Sequence, residues 1–367
     1  MLITRDQFKY WVSILKPYVR IKNSNLVQRG IRVIGSEDGT SVSLRATNGS
    51  ATINLTVPIS SPGDIDYCVD WKPILGLSQT TREKEIGFQI FKSGIRIKTN
   101  DSNLKLESRP SRGFAHNVPD PSTPKLTYKG ELDSSLFKFL SISSKANKLE
   151  PESGIMTLSP THAYTFRQVS MAFVGAPLVD STCYVQFSDF SPLALAKGEG
   201  SVCVYSEDLA LTVVHKDNWW VRMPKVTLQE DLAGSLEKVR LSLKPDHMVE
   251  VSRKVLNECA TRVRKAYGNR NVWFEVRKEE VAIVVDEAEN AGSAAHTETV
   301  PAISDGYQCR AGLPIDLLYD LSRAIPGDKM TFYIPTLKEP ARFLVAGNGT
   351  CTQLVSLDPE NLLCEVK

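Results

Sequence analysis

The feature that most constrains this chain is an internal repeat. One order of helix, strands, helix and strands recurs three times with a period of about 120 residues, too long for a solenoid and right for tandem domains. Each copy opens on an amphipathic helix. In the first, Phe8, Trp11, Val12 and Leu15 share one face, while Arg5, Lys9, Lys16 and Arg20 share another. In the second, Leu136, Phe139 and Leu140 oppose Lys138, Ser141, Lys145 and Lys148. In the third, Met248, Val251, Val255, Cys259 and Val263 form the apolar stripe beside Arg253, Lys254, Arg264 and Lys265.

Strand-like runs follow each helix, alternating with period two and broken by turn residues. Gly30–Ile34 and Val42–Thr47 flank Glu37-Asp38-Gly39-Thr40, an Asp-Gly hairpin signal. Ile155–Leu158 and Ala163–Phe166 flank Ser159-Pro160, and Val272–Val276 and Val281–Val285 flank a charged turn. A short strand then leads into a second helix at Tyr67–Leu75, Cys183–Leu193 and Tyr307–Leu318. Each carries a proline near the first helical turn, where its missing N–H costs nothing. A meander closes each copy, over Ile86–Glu107, Ser201–Met223 and Met330–Leu357. The expected fold class is therefore α+β, with helices packed on antiparallel sheets in three domains spanning 1–120, 121–240 and 241–367. The joins fall in polar, proline-bearing linkers, Arg109–Pro124 and Pro224–Pro245.

Composition agrees with a globular chain. Its 367 residues suit two or three domains, and 42% hydrophobic with 23% charged content is ordinary. No apolar run approaches the ~18 residues that span a bilayer. The N-terminus, Met1-Leu2-Ile3-Thr4-Arg5-Asp6, lacks the layout of a secretory signal, so a cytosolic protein is expected. The seven cysteines and five histidines are dispersed, with no C-x-x-C pair, which argues against a zinc site and for reduced thiols filling apolar gaps. A net charge of +2 excludes neither nucleic-acid nor protein partners, because the placement of charge matters more than its sum. No nucleophile elbow, P-loop or dinucleotide fingerprint is present. The acidic pairs Asp64 with Asp66 and Glu83 with Glu85 lie in turn-like surroundings where a solvated surface is the ordinary explanation. A non-catalytic protein is expected, with no cofactor and no metal.

The most specific stretch is Tyr307-Gln308-Cys309-Arg310-Ala311-Gly312-Leu313-Pro314-Ile315-Asp316-Leu317-Leu318-Tyr319-Asp320-Leu321, followed by Gly327–Ile334 and Glu339-Pro340-Ala341-Arg342-Phe343. With Leu44-Arg45-Ala46-Thr47-Asn48 of the first unit, these segments resemble the bacterial-type DNA sliding clamp, the beta subunit of replicative DNA polymerase. The resemblance covers essentially the whole chain and rests on the ordered combination of segments. Its departures are of the kind a phage or mobile-element version would show.

The resemblance implies a homodimer, two chains pairing head to tail into a six-domain ring around duplex DNA, in the cytoplasm of a bacterium (its nucleoid) or of a phage-infected host. The ring would tether DNA polymerase, a clamp loader and other proteins bearing a clamp-binding motif. Helices would line the hole and sheets the wall. Arg5, Lys9, Lys16, Arg20, Lys22, Lys72, Lys138, Lys145, Lys148, Lys197, Arg253, Lys254, Arg264, Lys265 and Arg323 would face phosphates without reading bases. A basic helical stripe alone is usually a solvated face; three at equivalent places in a repeat favour DNA.

By the same resemblance, a partner-peptide groove would draw on Thr165, Phe166, Arg167, Val169, Met223, Pro224, Leu354, Ser356 and Leu357. The chain departs from the family there. It reads Ser356-Leu357-Asp358-Pro359 with an added tail to Lys367, so the groove would bind a different motif or the tail would fold across it. Interdomain core is the plain alternative for these apolar residues. The subunit interface would join sheet edges at Leu104 and Leu106 of the first domain and Val272 and Phe274 of the third. A reading from another class is a clamp-shaped scaffold that recruits transcription or repair factors rather than a replicative polymerase.

Overall fold

In this computed structural model the described residues are 1–19, 29–111, 114, 126–143, 154–167, 170–190, 199–228, 231–243, 245–285, 296–336, 343–357 and 362–365. The first third of the chain runs β1 (Leu2–Thr4), α1 (Arg5–Leu15), β2 (Gly30–Gly35), β3 (Val42–Thr47), β4 (Thr52–Val57), β5 (Asp66–Asp70), α2 (Trp71–Thr80), β6 (Glu85–Phe91), β7 (Gly94–Lys98), β8 (Asn103–Glu107) and β9 (Arg109–Pro110). The middle third runs β10 (Leu126–Asp133), α3 (Ser134–Leu140), β11 (Ile155–Leu158), β12 (Ala163–Arg167), β13 (Ser170–Val174), β14 (Cys183–Gln186), β15 (Glu199–Ser206), β16 (Ala210–His215) and β17 (Trp219–Pro224). The last third runs α4 (Leu232–Ser242), β18 (His247–Ser252), α5 (Arg253–Tyr267), β19 (Asn271–Val276), β20 (Glu280–Val285), β21 (His296–Ile303), β22 (Cys309–Pro314), α6 (Ile315–Ala324), β23 (Lys329–Ile334), β24 (Phe343–Gly347), β25 (Cys351–Ser356) and β26 (Cys364–Glu365).

Local chemistry sets the helix starts. Thr4 and Gln7 form a reciprocal capping box: the Gln7 amide donates to the Thr4 hydroxyl at 3.2 Å, and the Thr4 amide to the Gln7 side chain at 3.1 Å. Asp70 accepts from the Lys72 amide at 3.0 Å and starts α2. Ser252 does the same for α5, which ends at Gly268 with φ 73°, a left-handed backbone that glycine adopts without a side-chain clash. At the first hairpin Gly39 has φ 67°, and the Asp38 carboxylate accepts from the Thr40 amide at 3.0 Å.

The Ser252 cap corrects one expectation. Met248 and Val251 belong to β18 and not to the third amphipathic helix, and Met248 is 56% exposed. The buried stripe of α5 is Leu256, Cys259, Ala260 and Val263, with Val255 at its margin. In the second repeat α3 is only seven residues long; Phe137, Phe139 and Leu140 are its buried apolar side chains, and Lys145 and Lys148 lie outside the described residues.

The chain forms two compact units. Met1–Ser134 with Ser188–Val226 make one, and Ser135–Phe187 with Thr227–Lys367 make the other. The first holds a four-stranded sheet, β1-β6-β7-β8, and a nine-stranded sheet, β10-β15-β16-β17-β4-β3-β2-β5-β9. The second holds one thirteen-stranded sheet, β14-β11-β12-β13-β25-β24-β23-β18-β21-β20-β19-β22-β26. Every recorded strand pairing is antiparallel.

Each large sheet contains a seam where a meander from one repeat pairs with a hairpin from another. In the first unit β17 pairs with β4, Val221 opposite Ile53. In the second β25 pairs with β13, Leu354 opposite Met171. The helices bury their apolar faces against these sheets: Phe8, Val12 and Leu15 from α1; Trp71 and Ile74 from α2; Ile315, Leu318 and Leu321 from α6. None of the seven cysteines is joined in a disulfide, and five of them are buried.

The interface expectation for the third repeat is also corrected. Val272 and Phe274 are buried on β19, which pairs with β20 on one side and β22 on the other and so has no free edge to offer. The open edge of this hairpin belongs to β21, whose residues 296–300 pair with β20 alone among the described residues. In the first repeat Leu104 and Leu106 do lie on an edge strand, because among the described residues β8 pairs only with β7.

The linker expected at Pro224–Pro245 contains the eleven-residue helix α4, which Asp231 caps by accepting from the Gly234 amide at 2.9 Å. Among the described residues, the added C-terminal tail does not fold over the predicted groove. Cys364 and Glu365 pair with Arg310 and Cys309 at the β22 end of the sheet, with Leu363 fully buried.

Candidate peptide groove and nucleic-acid face

Antiparallel pairing puts directly opposite residues on one face of a sheet. The registers therefore align a row across six strands: Phe166, Met171, Leu354, Val345, Tyr333 and Met248. Two residues along, Tyr164, Phe173, Thr352, Gly347, Thr331 and Glu250 form a second row on the same face. This face is apolar over much of its width. At one end α4 lies on it, Leu236 packing into a cluster with Tyr164, Met171 and Phe173, flanked by Phe166, Leu232 and Leu243. Beside α4 the face opens into a cavity of about 490 Å³ lined by Phe173, Val239, Arg240, Ser242, Leu243, Pro245, Tyr333, Pro335, Phe343, Val345, Thr352 and Leu354.

The cavity's charge is nearly balanced. The Arg240 guanidinium donates to Glu237 at 2.9 and 2.5 Å, and the Tyr164 hydroxyl also donates to Glu237. Those hydrogen bonds, with Arg240 foremost, hold the Glu237 carboxyl down at about 2. The remaining lining is mostly aromatic and aliphatic, which suits apolar side chains presented by a peptide.

Of the nine groove residues expected from sequence, Leu354 lines this cavity. Phe166 is on the same face but under α4. Ser356 pairs opposite Phe343, a lining residue. Thr165 is on the opposite face, because alternation reverses successive residues. It is fully buried, and its hydroxyl donates to the Leu140 carbonyl at 2.7 Å. Leu357 is buried beyond the end of β25 and does not line the cavity. Met223 and Pro224 are on β17 of the other unit, where Met223 pairs opposite Leu211 and is buried. Val169 and the Arg167 side chain lie outside the described residues. Sequence reasoning missed Val239 and Leu243. The signal was present: Leu232, Leu236, Val239 and Leu243 are spaced i, i+4, i+7, i+11, a helical stripe inside the supposed linker.

The expected DNA-facing residues separate into committed and uncommitted charges. On α5 and α6 the arginines are engaged with the protein. Arg264 pairs with Asp316 at 2.5 Å, and its guanidinium lies 4.5 Å from the Tyr319 ring. Arg323 takes the same ring at 5.2 Å and donates to the Tyr319 hydroxyl at 3.0 Å. Arg253 donates to the Ser322 carbonyl at 3.4 Å, and Arg5 to the Arg82 carbonyl at 3.5 Å. Lys9, Lys16, Lys72, Lys138, Lys254 and Lys265 are exposed, and no ion pair is recorded for them among the described residues. Arg5, Lys9 and Lys16 fall within about 40° of one another around α1 at ~100° per residue. Arg20, Lys22, Lys145, Lys148 and Lys197 lie outside the described residues.

The acidic pairs seen in sequence are explained locally. Asp66 forms a fork with Arg32 at 2.7 and 2.5 Å, and Glu83 accepts from the Asn100 amide at 2.7 Å. Among the described residues no three His, Cys, Asp or Glu side chains gather as metal ligands would. No helix of the described residues is long and apolar enough to cross a membrane.

By sequence, the chain matches no family model and no curated protein. Its fold is nevertheless that of several solved structures over nearly their full length. The DNA polymerase III subunit beta of Borrelia burgdorferi, solved with a natural product, superposes with a TM-score of 0.72 at 14% identity, covering 97% of each chain. The beta subunit of Thermotoga maritima gives 0.70 at 12% identity, covering 97% of this chain and 98% of that one. The Helicobacter pylori beta clamp bound to a DNA ligase peptide gives 0.68 at 11% identity, covering 98% and 99%.

Proposed function

We propose that this chain is a DNA sliding clamp, a non-catalytic ring that encircles duplex DNA and tethers DNA polymerase and other clamp-binding proteins. The observation that carries the reading is the end-to-end match of its fold to DNA polymerase III beta subunits. In this reading the chain is three clamp domains, 1–120, 121–240 and 241–367, and acts in the cytoplasm, on a bacterial nucleoid or in a phage-infected host.

The sheet seams support closure by a second copy. In each seam the last strand of a closing meander, β17 or β25, pairs with the third strand of an opening hairpin, β4 or β13. The remaining strands of those two kinds are β8 and β21; among the described residues β8 has an open edge, and β21 is unpaired on one side over 296–300, short of its pairing with β18 at 302–303. Pairing β8 of one copy with β21 of another repeats the rule and removes both edges. Applied at both ends, it gives a head-to-tail ring of two chains.

Uncommitted lysines on α1, α2, α3 and α5 would meet the phosphates, and flexible point charges of this sort position without specifying sequence. The arginines stapled across α5 and α6 would shape that face more than bind DNA. The cavity beside α4 is where a partner peptide would dock, as a DNA ligase peptide does on the H. pylori clamp. The decisive experiment loads the purified protein onto primed circular DNA with a cognate clamp loader and measures polymerase product length. Longer products are expected. Unchanged length with a loader shown to be active would reject the reading.

A further inference from the structure

The segment after each repeat folds back on an edge strand, in two different ways. After the first, β9 adds to β5, and after the third, β26 adds to β22. After the second, the equivalent edge strand β14 receives no strand among the described residues. The chain there forms α4, which reaches β14 through one long hydrogen bond, the Ala233 amide to the Tyr184 hydroxyl at 3.4 Å. The helix lies on the sheet's face, over the same apolar rows that continue into the cavity.

Its hold is slight. At eleven residues with Gly234 inside its first turn, α4 is shorter than the ~12–15 residues at which isolated helices become even marginally stable. Leu236 is its single buried side chain, while Val239 and Leu241 are 40% and 59% exposed. Besides that long bond to Tyr184, its polar tie to the sheet is a clasp in which Glu237 accepts from Tyr164 of β12 and from Arg240 of α4 itself. A helix so held opens by local unfolding at little cost to the sheet beneath it.

We infer that α4 is a displaceable strap: it covers the Tyr164, Phe166, Met171 and Phe173 half of an apolar docking face, the Tyr164–Glu237–Arg240 clasp fastens it, and it lifts when a partner's apolar peptide occupies the face. The inference rests on the reading of the cavity as a peptide groove. It adds that the groove visible beside α4 is only the open half of the site.

The test uses the full chain and three readouts: hydrogen exchange of the α4 amides, fluorescence of the apolar dye anilinonaphthalene sulfonate, and affinity for the DNA ligase peptide seen on the H. pylori clamp. In Tyr164→Phe and Glu237→Gln the α4 amides are expected to exchange about tenfold faster, with β23 to β25 unchanged and dye binding increased. Saturating peptide is expected to speed α4 exchange in the wild type, and the peptide to bind Tyr164→Phe about tenfold tighter. Unchanged α4 exchange in both variants, or slower α4 exchange on adding peptide, would overturn the strap and make α4 a fixed wall. Should the peptide bind neither protein while the α4 amides and the dye respond as expected, the cover is upheld and the groove reading is what fails.

Discussion

Leu354 and Met171 stand directly opposite each other across β25 and β13, at the seam that joins two repeats in the thirteen-stranded sheet. Both are nearly buried, at 7% and 5% exposure. The pair closes the sheet, Met171 packing under α4 and Leu354 lining the cavity, because the row they belong to runs from one to the other.

Leu354→Ala should therefore cost stability, by about 2–4 kcal/mol for a truncated buried leucine. Urea denaturation would show a lower midpoint with an unchanged slope. Val345→Asp, set on the cavity lining rather than at the seam, should abolish binding of the ligase peptide. A variant that folds and still binds the peptide would remove the cavity from consideration as the docking site.

Ring closure makes a prediction about edges. Sedimentation should give a dimer at micromolar concentration, and Leu104→Lys on β8 should weaken it at least about tenfold, roughly 1.4 kcal/mol. Val272→Ala, on an internal strand, should lower stability without any comparable effect on dimerisation. A wild-type protein that stays monomeric even on DNA would eliminate the two-chain ring.

Charge reversal separates the committed cations from the uncommitted ones. Lys9→Glu, Lys138→Glu and Lys254→Glu together should shorten retention on closed circular DNA and flatten its salt dependence, since each phosphate contact adds about one to the slope. Arg264→Ala should act mainly on the protein, and mildly, because its pair with Asp316 is partly exposed and such pairs are worth about 0–1 kcal/mol. Equal losses of retention from both sets would contradict this division.

One buried acid gives a pH dependence. Asp189 is 1% exposed; its Oδ1 accepts from the Asn48 amide at 3.3 Å, while its Oδ2 has no partner among the described residues. Burial raises its carboxyl from 3.8 to about 6. Since the folded state holds this proton more tightly than the unfolded chain, the stabilisation is complete below about 4 and is lost as pH rises through about 6. The expected loss is on the order of 2–3 kcal/mol between those limits. Asp189→Asn should remove that dependence and unfold at higher urea than the wild type at pH 7. An identical pH profile in the variant would mean that Asp189 is not the group responsible.

Much of the architecture was legible in the sequence because its signals are local. Period-two runs, Asp38-Gly39 and the caps at Thr4, Asp70 and Ser252 act within a few residues of where they sit. Reading Met248 and Val251 into a helix failed because strand and helix stripes coincide over short spans, and the Ser252 cap decided the boundary. Thr165, expected at the groove, lies on the face opposite the cavity because a single step along a strand reverses its face. The helix α4 was overlooked although its leucine spacing was visible, since proline-flanked polar sequence reads as linker.

The sequence by itself determined the repeat order, the α+β class and the buried face of the first helix, all of which depend on neighbours along the chain. Only the tertiary structure decided which strand ends meet: β17 with β4, β25 with β13, and, among the described residues, β8 and the 296–300 stretch of β21 paired on one side alone. Backbone hydrogen bonds in a sheet are made by groups common to nearly every residue, so no side-chain pattern in either strand names its distant partner. The cavity depends on one such pairing, Leu354 with Met171, and on α4, which lines one side of it.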